Sequence, residues 1–310
     1  MSIRVLVTGA SGLLGRAYCR VLMSEQYKNQ FELLGLAYSR YDLYKDTYPL
    51  AKVNMDDKEH LKATVTAFKP NVIIHCAAER RPDVCENDKD RVIKLNVLST
   101  EYLSDLAKQL NAYLFLISSD YVFDGKHPPY YPDSVTNPLS FYGETKKESE
   151  IVATRSNSRN VILRVPVLYG QVETLGESAV TVVAEQLLKN PNNDVDNWQI
   201  RYPTLVDDVA KCSIMLIQKK TQDDQLVKGV IQFTGTQRKT KYDMAVDMSK
   251  LLNIDPASIK AANHPPSGAP RPHNAQLDLT ATKNILDGQQ LPDTPFDTEI
   301  VKVIQPFVKQ

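Results

Sequence analysis

Short apolar runs rich in β-branched residues alternate with longer amphipathic runs through the first half of the chain. Each short run has the length and composition of a buried strand, and each longer run has apolar positions at helical spacing. The predicted strands are 3–8, 32–38, 71–76, 112–118 and 160–165. The predicted helices are 12–23, 57–68, 88–110 and 141–154. This alternation predicts an α/β fold of the Rossmann type, a doubly wound parallel sheet with crossover helices.

The alternation loosens after Pro166, which indicates a second, smaller unit. The elements expected there are helices at 178–189, 206–219 and 241–252, a strand at 229–234, a loop at 191–194 and irregular chain at the proline-rich 264–272. The predicted division is a Rossmann domain of residues 1–165, to which 205–235 return, and a discontinuous C-terminal lobe of residues 166–204 and 236–310. A functional site would lie in the cleft between the two units.

A glycine-rich turn follows the first predicted strand directly and opens the first predicted helix. Gly9 permits the turn, Gly12 lets the backbone approach a pyrophosphate, and Gly15 lets the helix pack closely on the sheet. The helix N-terminus adds free N–H groups and the positive end of its dipole. A purely structural turn is the alternative, but the position after a strand favours nucleotide binding. The predicted contacts are Gly9, Ser11, Gly12, Leu13, Leu14 and Gly15.

The residues that end the second strand indicate which nicotinamide cofactor the site would prefer. An NAD site carries an acid there, which accepts a hydrogen bond from the ribose 2′-hydroxyl. This chain has Ser39 and Arg40 instead, and a guanidinium suits the 2′-phosphate of NADP. An exposed surface arginine is the alternative interpretation. Further predicted cofactor contacts follow later strands or lie on the next helix, and they are Asp56, Cys76, Ala77, Ala78 and Asn96.

Tyr142 and Lys146 have the spacing Y-x-x-x-K, which places them on one face of a predicted helix. The Lys146 ammonium is expected to lower the pKa of the phenol and make Tyr142 a feasible acid or base, with both residues also in contact with the cofactor. Ser119 ends the preceding strand, where its hydroxyl is placed to hold a carbonyl group. A surface Tyr–Lys pair is the alternative, because this spacing alone is common by chance.

Overall composition restricts the classes of function. The chain has 310 residues with 37 basic and 37 acidic side chains, so its formal net charge is zero. It therefore lacks the excess positive charge that would favour binding to nucleic acid or to an anionic membrane. Its four cysteines are scattered without C-x-x-C spacing and indicate reduced thiols in a cytoplasmic protein. The five histidines show no metal-ligand spacing, so we expect no metal site. We find no signal-peptide pattern and no apolar run long enough to span a bilayer.

The glycine turn with its G-x-x-G-x-x-G spacing, Asn96, the serine at the strand end and Y-x-x-x-K occur in one order along the chain. Together they resemble the extended short-chain dehydrogenase/reductases. Segments 119–125 and 137–146 are similar to the dTDP-4-dehydrorhamnose reductase type within that family. The resemblance implies that Ser119 holds a carbonyl, that Tyr142 donates a proton and that Lys146 is its partner. It implies an NADPH-dependent reductase of a 4-keto-6-deoxy nucleotide sugar.

A second set of segments resembles one branch of these proteins, the regulatory β subunits of methionine adenosyltransferase. Residues 76–84, with the run Arg80-Arg81-Pro82, carry the likeness most clearly. The other similar residues lie within 86–87, 177–182, 198–210, 268–278 and 294–296. This resemblance implies NADP binding and docking on the catalytic subunit, which modulates S-adenosylmethionine synthesis, and we favour it over the reductase. Arg80 and Arg81 are either solvated loop charges or an anion site that faces the cleft.

The C-terminal segment carries an apolar stripe at spacings of four, four and three, which predicts one face of a helix. Its members are Phe296, Ile300, Ile304 and Phe307. Pro306 is expected to fray or end that helix. One interpretation is that the stripe packs on the chain's own small lobe. The other is that residues 293–310 dock in a groove of the catalytic subunit, with Phe296 and Phe307 as anchors.

Overall fold

The structure, a computed structural model, describes residues 2–192 and 194–308, so Met1, Asn193, Lys309 and Gln310 lie outside the described residues. The strands of the described chain are β1 (Ile3–Thr8), β2 (Phe31–Ala37), β3 (Leu50–Lys52), β4 (Val72–His75), β5 (Tyr113–Ser119), β6 (Val161–Val165), β7 (Leu168–Tyr169), β8 (Asp194–Asp196), β9 (Thr204–Leu205), β10 (Gly229–Gln232) and β11 (Lys260–Ala262). Its helices are α1 (Leu13–Leu22), α2 (Tyr41–Tyr44), α3 (Lys58–Phe68), α4 (Pro82–Asn87), α5 (Lys89–Val92), α6 (Ser99–Gln109), α7 (Phe141–Ser156), α8 (Thr181–Lys189), α9 (Val206–Gln222), α10 (Lys241–Ser249), α11 (Thr280–Ile285) and α12 (Phe296–Ile304).

Seven strands form one parallel sheet in the order β10-β6-β5-β4-β1-β2-β3. Strand β1 illustrates how helices cover both faces of this sheet. Val5 and Val7 belong to the core shared with α1 and α9, whereas Leu6 belongs to the core under α3 and α6. All three side chains are fully buried. Because helices cover both faces, the strand is apolar at successive positions, as a doubly wound sheet requires. The predicted fold class is confirmed.

A further hydrophobic core, away from the two faces of the main sheet, lies among α8, α10 and α12. Strands β8 and β11 pair beside it as a separate two-stranded sheet. In contrast, α9 packs in the large core and β10 pairs with β6 of the main sheet. The separate core among α8, α10 and α12 supports the proposed division into a Rossmann domain with a returning segment and a discontinuous lobe, which we retain as a proposal.

The structure differs from the predicted elements mainly at short segments. β3, α2 and α4 are absent from the sequence prediction because three to six residues are too few to show a periodicity. The predicted helix 88–110 contains a π-helical turn at Ile93–Leu98. The predicted loop 191–194 includes the first residue of β8, Asp194.

The apolar stripe of the C-terminal helix packs inside the chain's own smaller lobe. Phe296, Ile300 and Ile304 are at most 1% exposed and belong to the core among α8, α10 and α12. The interpretation of Phe296 as an anchor for a partner is therefore wrong, because its ring is already packed against Tyr169 at a centroid distance of 5.0 Å. The predicted effect of Pro306 is confirmed, since α12 ends at Ile304 and a 3₁₀ turn follows.

Candidate functional site

The loops that follow β1, β2, β4 and β5 meet at the carboxyl edge of the sheet, around the reversal of strand order between β1 and β4. Gly9 has a φ of 65°, and a Cβ there would lie 2.9 Å from the Ala77 nitrogen. The Thr8 hydroxyl joins the same two loops, since it lies 2.7 Å from Nδ1 of His75 and accepts from the Ala77 amide at 3.3 Å. Gly9 is thus the turn glycine that the sequence predicts, and Ala77 lies against it.

The other two glycines have different roles at the start of α1: Gly15 allows close packing, and Gly12 leaves the backbone open to approach. A Cβ at Gly15 would lie 2.1 Å from the Gly9 carbonyl oxygen, so α1 packs on the turn itself. Gly12 precedes α1 without any side-chain cap, and a Cβ there would meet only that same oxygen within 4 Å, at 3.2 Å. The uncapped helix N-terminus and the open approach at Gly12 fit the pyrophosphate of a dinucleotide. Three of the predicted contacts lie beside these glycines and have buried or half-buried side chains, and they are Ser11, Leu13 and Leu14.

Arg40 lies at the predicted position after β2, but its guanidinium pairs with carboxylates of the chain itself. It contacts Glu177 at 2.9 Å and also contacts Glu173. Arg16 of α1 makes two further 2.8 Å hydrogen bonds to the Glu177 carboxylate. Burial would raise the pKa of Glu177, but hydrogen bonds from Arg16, the Glu173 amide and Arg40 outweigh it and lower the pKa to about 2. Ser39 is exposed beside this cluster. No local pattern in the sequence relates the arginines to these glutamates.

Asn96 holds the loop that follows β4. Its side-chain oxygen accepts from the Glu79 N–H at 2.9 Å, and its amide nitrogen donates to the Glu79 carbonyl at 3.0 Å and the Thr145 hydroxyl at 3.2 Å. Asn96 is 1% exposed and lies in the π-helical turn. Its observed contacts therefore position the segment 76–79, which includes the predicted contacts Cys76, Ala77 and Ala78. A direct contact between Asn96 and a cofactor stays a prediction.

Asp56 lies at the end of the loop after β3. Its side chain is exposed, and its amide donates to Oδ1 of Asn54 at 3.1 Å. The neighbouring Asp57 caps α3 by accepting from the His60 amide at 3.0 Å. Asp57 thus supplies the side-chain cap of α3, while the contact of Asp56 with the cofactor stays a prediction.

Ser119, Tyr142 and Lys146 lie at the end of β5 and in the first turns of α7. Lys146 is 4% exposed and donates to the Ile117 carbonyl at 2.7 Å. Burial lowers the pKa of Lys146 to about 8, although the nearby Glu150 carboxylate opposes this shift. Burial raises the pKa of Tyr142 well above its ordinary value, and a hydrogen bond with Ser119 offsets only part of the rise.

The expected lowering of the Tyr142 pKa by Lys146 is therefore wrong in this geometry. Desolvation dominates, and the Lys146 ammonium donates to the Ile117 carbonyl. A raised pKa keeps the phenol protonated at neutral pH. Tyr142 is thus suited to donate a proton to a developing oxyanion, and poorly suited to act as a base.

Asp120 and Tyr121 adjoin these three residues, and the sequence prediction did not include them. The Tyr121 ring meets the Tyr142 ring edge-on at 5.6 Å, and the Ser119 hydroxyl donates to Oδ1 of Asp120 at 3.0 Å. Burial raises the pKa of Asp120 to about 7, against the opposing effects of Ser119 and Arg201. A carboxyl group that titrates near neutrality beside a proton donor is a functional candidate. The signals that the sequence offered are its adjacency to Ser119 and its place in segment 119–125, which carries the reductase resemblance.

Three further arginines around the cleft pair with carboxylates of the chain. The pairs are Arg81–Glu79, Arg201–Asp196 and Arg271–Asp83, with N···O distances of 2.8, 3.0 and 2.7 Å. Arg81 is exposed, in agreement with the interpretation as a solvated loop charge. Arg80 instead donates to the backbone carbonyl of Glu177, next to the Arg16–Arg40 cluster. Arg81, Arg201 and Arg271 therefore each already have a carboxylate partner.

The described residues hold no group of three or more His, Cys, Asp or Glu side chains arranged to bind a metal ion. Among the residues that the structure describes, no helix is both long enough and apolar enough to cross a membrane. The four cysteines are unpaired. Burial raises the pKa of the Cys19 and Cys85 thiols to about 12, so both stay protonated at neutral pH and are poor nucleophiles.

Comparison with known proteins extends the site analysis. The RmlD substrate binding domain family matches residues 3–308. The methionine adenosyltransferase 2 subunit beta of Xenopus tropicalis is 42% identical over 308 residues, which cover 98% of this chain and 88% of that protein. The dTDP-4-dehydrorhamnose reductase of Aggregatibacter actinomycetemcomitans is 30% identical, over 89% of this chain and 91% of that protein. The crystal structure of the Bacillus anthracis dTDP-4-dehydrorhamnose reductase in complex with NADP has a TM-score of 0.77 at 21% identity, covering 99% and 98% of the two chains.

Proposed function

Because the chain belongs to the RmlD substrate binding domain family and is similar over nearly its whole length to a methionine adenosyltransferase 2 β subunit, we propose that it is an NADP-binding regulatory subunit. It would assemble with a methionine adenosyltransferase catalytic subunit in the cytoplasm and modulate S-adenosylmethionine synthesis. The observation that carries the proposal is the 42% identity over nearly the whole chain, against 30% for the sugar-nucleotide reductase.

The charge distribution of the cleft supports the same assignment. A reductase of a nucleotide sugar has to bind the diphosphate of its substrate, for which arginine guanidinium groups are common donors. Arg201 and Arg271 pair with Asp196 and Asp83 instead. Binding a diphosphate at either arginine would require separating an existing ion pair. A regulatory subunit has no such requirement at this end of the cleft.

The proposed cofactor is NADP, held at the glycine turn. Gly9, Gly12 and Gly15 leave room for a pyrophosphate at the N-terminus of α1, and Arg40 is the candidate for the 2′-phosphate. The cofactor, when bound in its reduced form, supplies a hydride. The proposed further contacts at the carboxyl edge are Ser11, Leu13, Leu14, Ser39, Asp56, Cys76, Ala77, Ala78, Asn96, Tyr142 and Lys146.

Partner binding tests the proposed function directly. We expect the full chain, purified from its native host, to carry a methionine adenosyltransferase catalytic subunit with it in a defined complex. The measurement is mass spectrometry of the complex after size-exclusion chromatography. A chain that elutes free of any catalytic subunit, and that does not bind a purified one in a pull-down, would contradict the proposal.

The alternative is an NADPH-dependent reductase of a 4-keto-6-deoxy nucleotide sugar. The observation that favours it is the intact group of Ser119, Tyr142 and Lys146 at the end of β5. In this case the Ser119 hydroxyl would hold the substrate carbonyl and the Tyr142 phenol would protonate the oxygen.

Replacing Tyr142 with phenylalanine tests that alternative. Any reduction of a 4-keto-6-deoxy nucleotide sugar should fall by at least about a hundredfold, because the variant lacks the proton donor, while the variant should still bind NADPH. The measurement pairs single-turnover kinetics with calorimetry. Tyr131→Phe is the matched control, since Tyr131 is 48% exposed on a surface loop. Turnover by Tyr142→Phe at the parent rate would refute the assigned role, and absence of turnover in the parent would favour the regulatory function.

A further inference from the structure

Three arginines from three separate segments converge on one short stretch of chain. Arg16 lies on α1, Arg40 follows β2 and Arg80 follows β4. All three contact Glu177, Arg16 and Arg40 through its carboxylate and Arg80 through its backbone carbonyl. The stretch that carries Glu177 connects β7 to α8, so it belongs to the smaller lobe, whereas the three arginines belong to the Rossmann domain.

The carboxylate of Glu177 is a fixed part of this cluster. It is 9% exposed and accepts four hydrogen bonds, two from Arg16, one from Arg40 and one from the Glu173 amide. Arg16 is also held by the Ser11 carbonyl at 2.9 Å, within the glycine turn. The Tyr44 ring covers both guanidinium groups, and its centroid lies 5.3 Å from Cζ of Arg16 and 5.9 Å from Cζ of Arg40. This arrangement fixes where the Arg40 side chain points.

The carboxylate of Glu173 occupies a different place. It contacts only Arg40 among the arginines, and the two side chains are 36% and 30% exposed. An ion pair with this exposure contributes little free energy and exchanges readily with another anion. Glu173 therefore occupies the accessible side of Arg40, the side from which a ligand would approach.

The charges in the cluster make simultaneous occupancy unfavourable. Arg16, Arg40 and Arg80 carry three positive charges, and Glu173 and Glu177 carry two negative charges. A phosphate monoester brings about −1.5 to −2 further charges at neutral pH. A 2′-phosphate on Arg40 would therefore make the net charge of the cluster negative unless the Glu173 side chain left.

We infer that Glu173 is an internal competitor for the cofactor's 2′-phosphate, and that Glu177 is the fixed counterion that positions Arg16 and Arg40 for it. The inference rests on the proposed NADP binding and assigns the residue that sets NADP affinity relative to NAD. NAD lacks the 2′-phosphate and leaves the Arg40–Glu173 pair intact. Because Glu173 lies between β7 and the turn that leads into α8, its release occurs within the smaller lobe.

Calorimetric titration of the full chain with NADP and with NAD tests the inference. Glu173→Gln should bind NADP about fivefold more tightly than the parent and bind NAD with unchanged affinity, the gain falling as salt concentration rises. The matched control is Glu185→Gln, which removes a carboxylate from α8 that pairs with Lys189 and touches none of the three arginines. In an Arg40→Ala background the Glu173→Gln change should have no effect, because the two residues act through one contact.

The outcomes separate the inference from the proposed function. If the parent and Glu173→Gln bind neither cofactor, the NADP proposal fails and the inference fails with it. If the parent binds NADP and Glu173→Gln binds it equally well, only the inference is overturned. An equal gain for NADP and NAD also overturns it, because Glu173 would then repel any dinucleotide. A selective gain for NADP that disappears with Arg40→Ala supports it.

Discussion

Replacing Gly15 with alanine should reduce NADP affinity by about ten- to a hundredfold, because losing one hydrogen bond to the charged pyrophosphate costs about 1.5–3 kcal/mol. The added Cβ would lie 2.1 Å from the Gly9 carbonyl oxygen and 2.8 Å from the Ala10 Cα. Both are backbone atoms, so no side chain can rotate away and the whole turn has to move. Overpacking of this kind also lowers the free energy of unfolding by about 1–3 kcal/mol. Calorimetry with NADP and urea denaturation measure the two effects.

Two other glycines provide comparisons for this variant. Gly176→Ala is the matched control, since its Cβ would meet only the flexible Glu185 side chain, at 3.3 Å. It should retain both stability and affinity. Gly12→Ala separates binding from folding, because its nearest protein atom is the Gly9 oxygen at 3.2 Å. It should fold normally and still lose affinity if the pyrophosphate lies over Gly12. Parent-like NADP binding by Gly15→Ala would contradict the proposed position of the cofactor.

Replacing Phe296 with alanine should lower the free energy of unfolding by about 3–5 kcal/mol. The side chain is 1% exposed and packs edge-on against Tyr169 in the core among α8, α10 and α12. Removing the ring leaves a cavity in this core, and the surrounding backbone can close it only in part. Urea denaturation followed by circular dichroism measures the loss. Leu188→Ala is the control, since Leu188 lies on α8 of the same lobe but is 47% exposed, and it should change stability by less than about 0.5 kcal/mol.

A chain that ends at Pro292 extends this test to the whole C-terminal segment. It lacks the stripe of Phe296, Ile300 and Ile304, so the smaller lobe should lose its cooperative unfolding transition. Loss of partner binding in such a chain would then follow from unfolding. If the shortened chain instead stays folded and loses only the partner, our assignment of these three residues to the lobe's core would be wrong. Docking through residues 293–310 stays a proposal for the exposed side of α12, where Lys302 lies.

Much of the fold and part of the site followed from the sequence alone. The main strands and helices were predictable because a parallel sheet covered on both faces imposes apolar runs that are local in sequence. The glycine turn was predictable for the same reason, since Gly9, Gly12 and Gly15 act on backbone within a few residues of one another. The Tyr142–Lys146 spacing correctly placed both residues on the first turns of one helix, α7.

The tertiary structure decided the partners of the charged side chains. Arg40 was assigned from its position after β2, but it pairs with Glu177, 137 residues away, and no periodicity encodes such a contact. Asn96 holds the Glu79 loop, and burial rather than Lys146 sets the direction of the Tyr142 pKa shift. The spacing of the C-terminal stripe fitted the chain's own lobe and a partner's groove equally well. Hydrophobic spacing specifies that a helix face is buried, whereas the surface that buries it depends on where the rest of the chain folds.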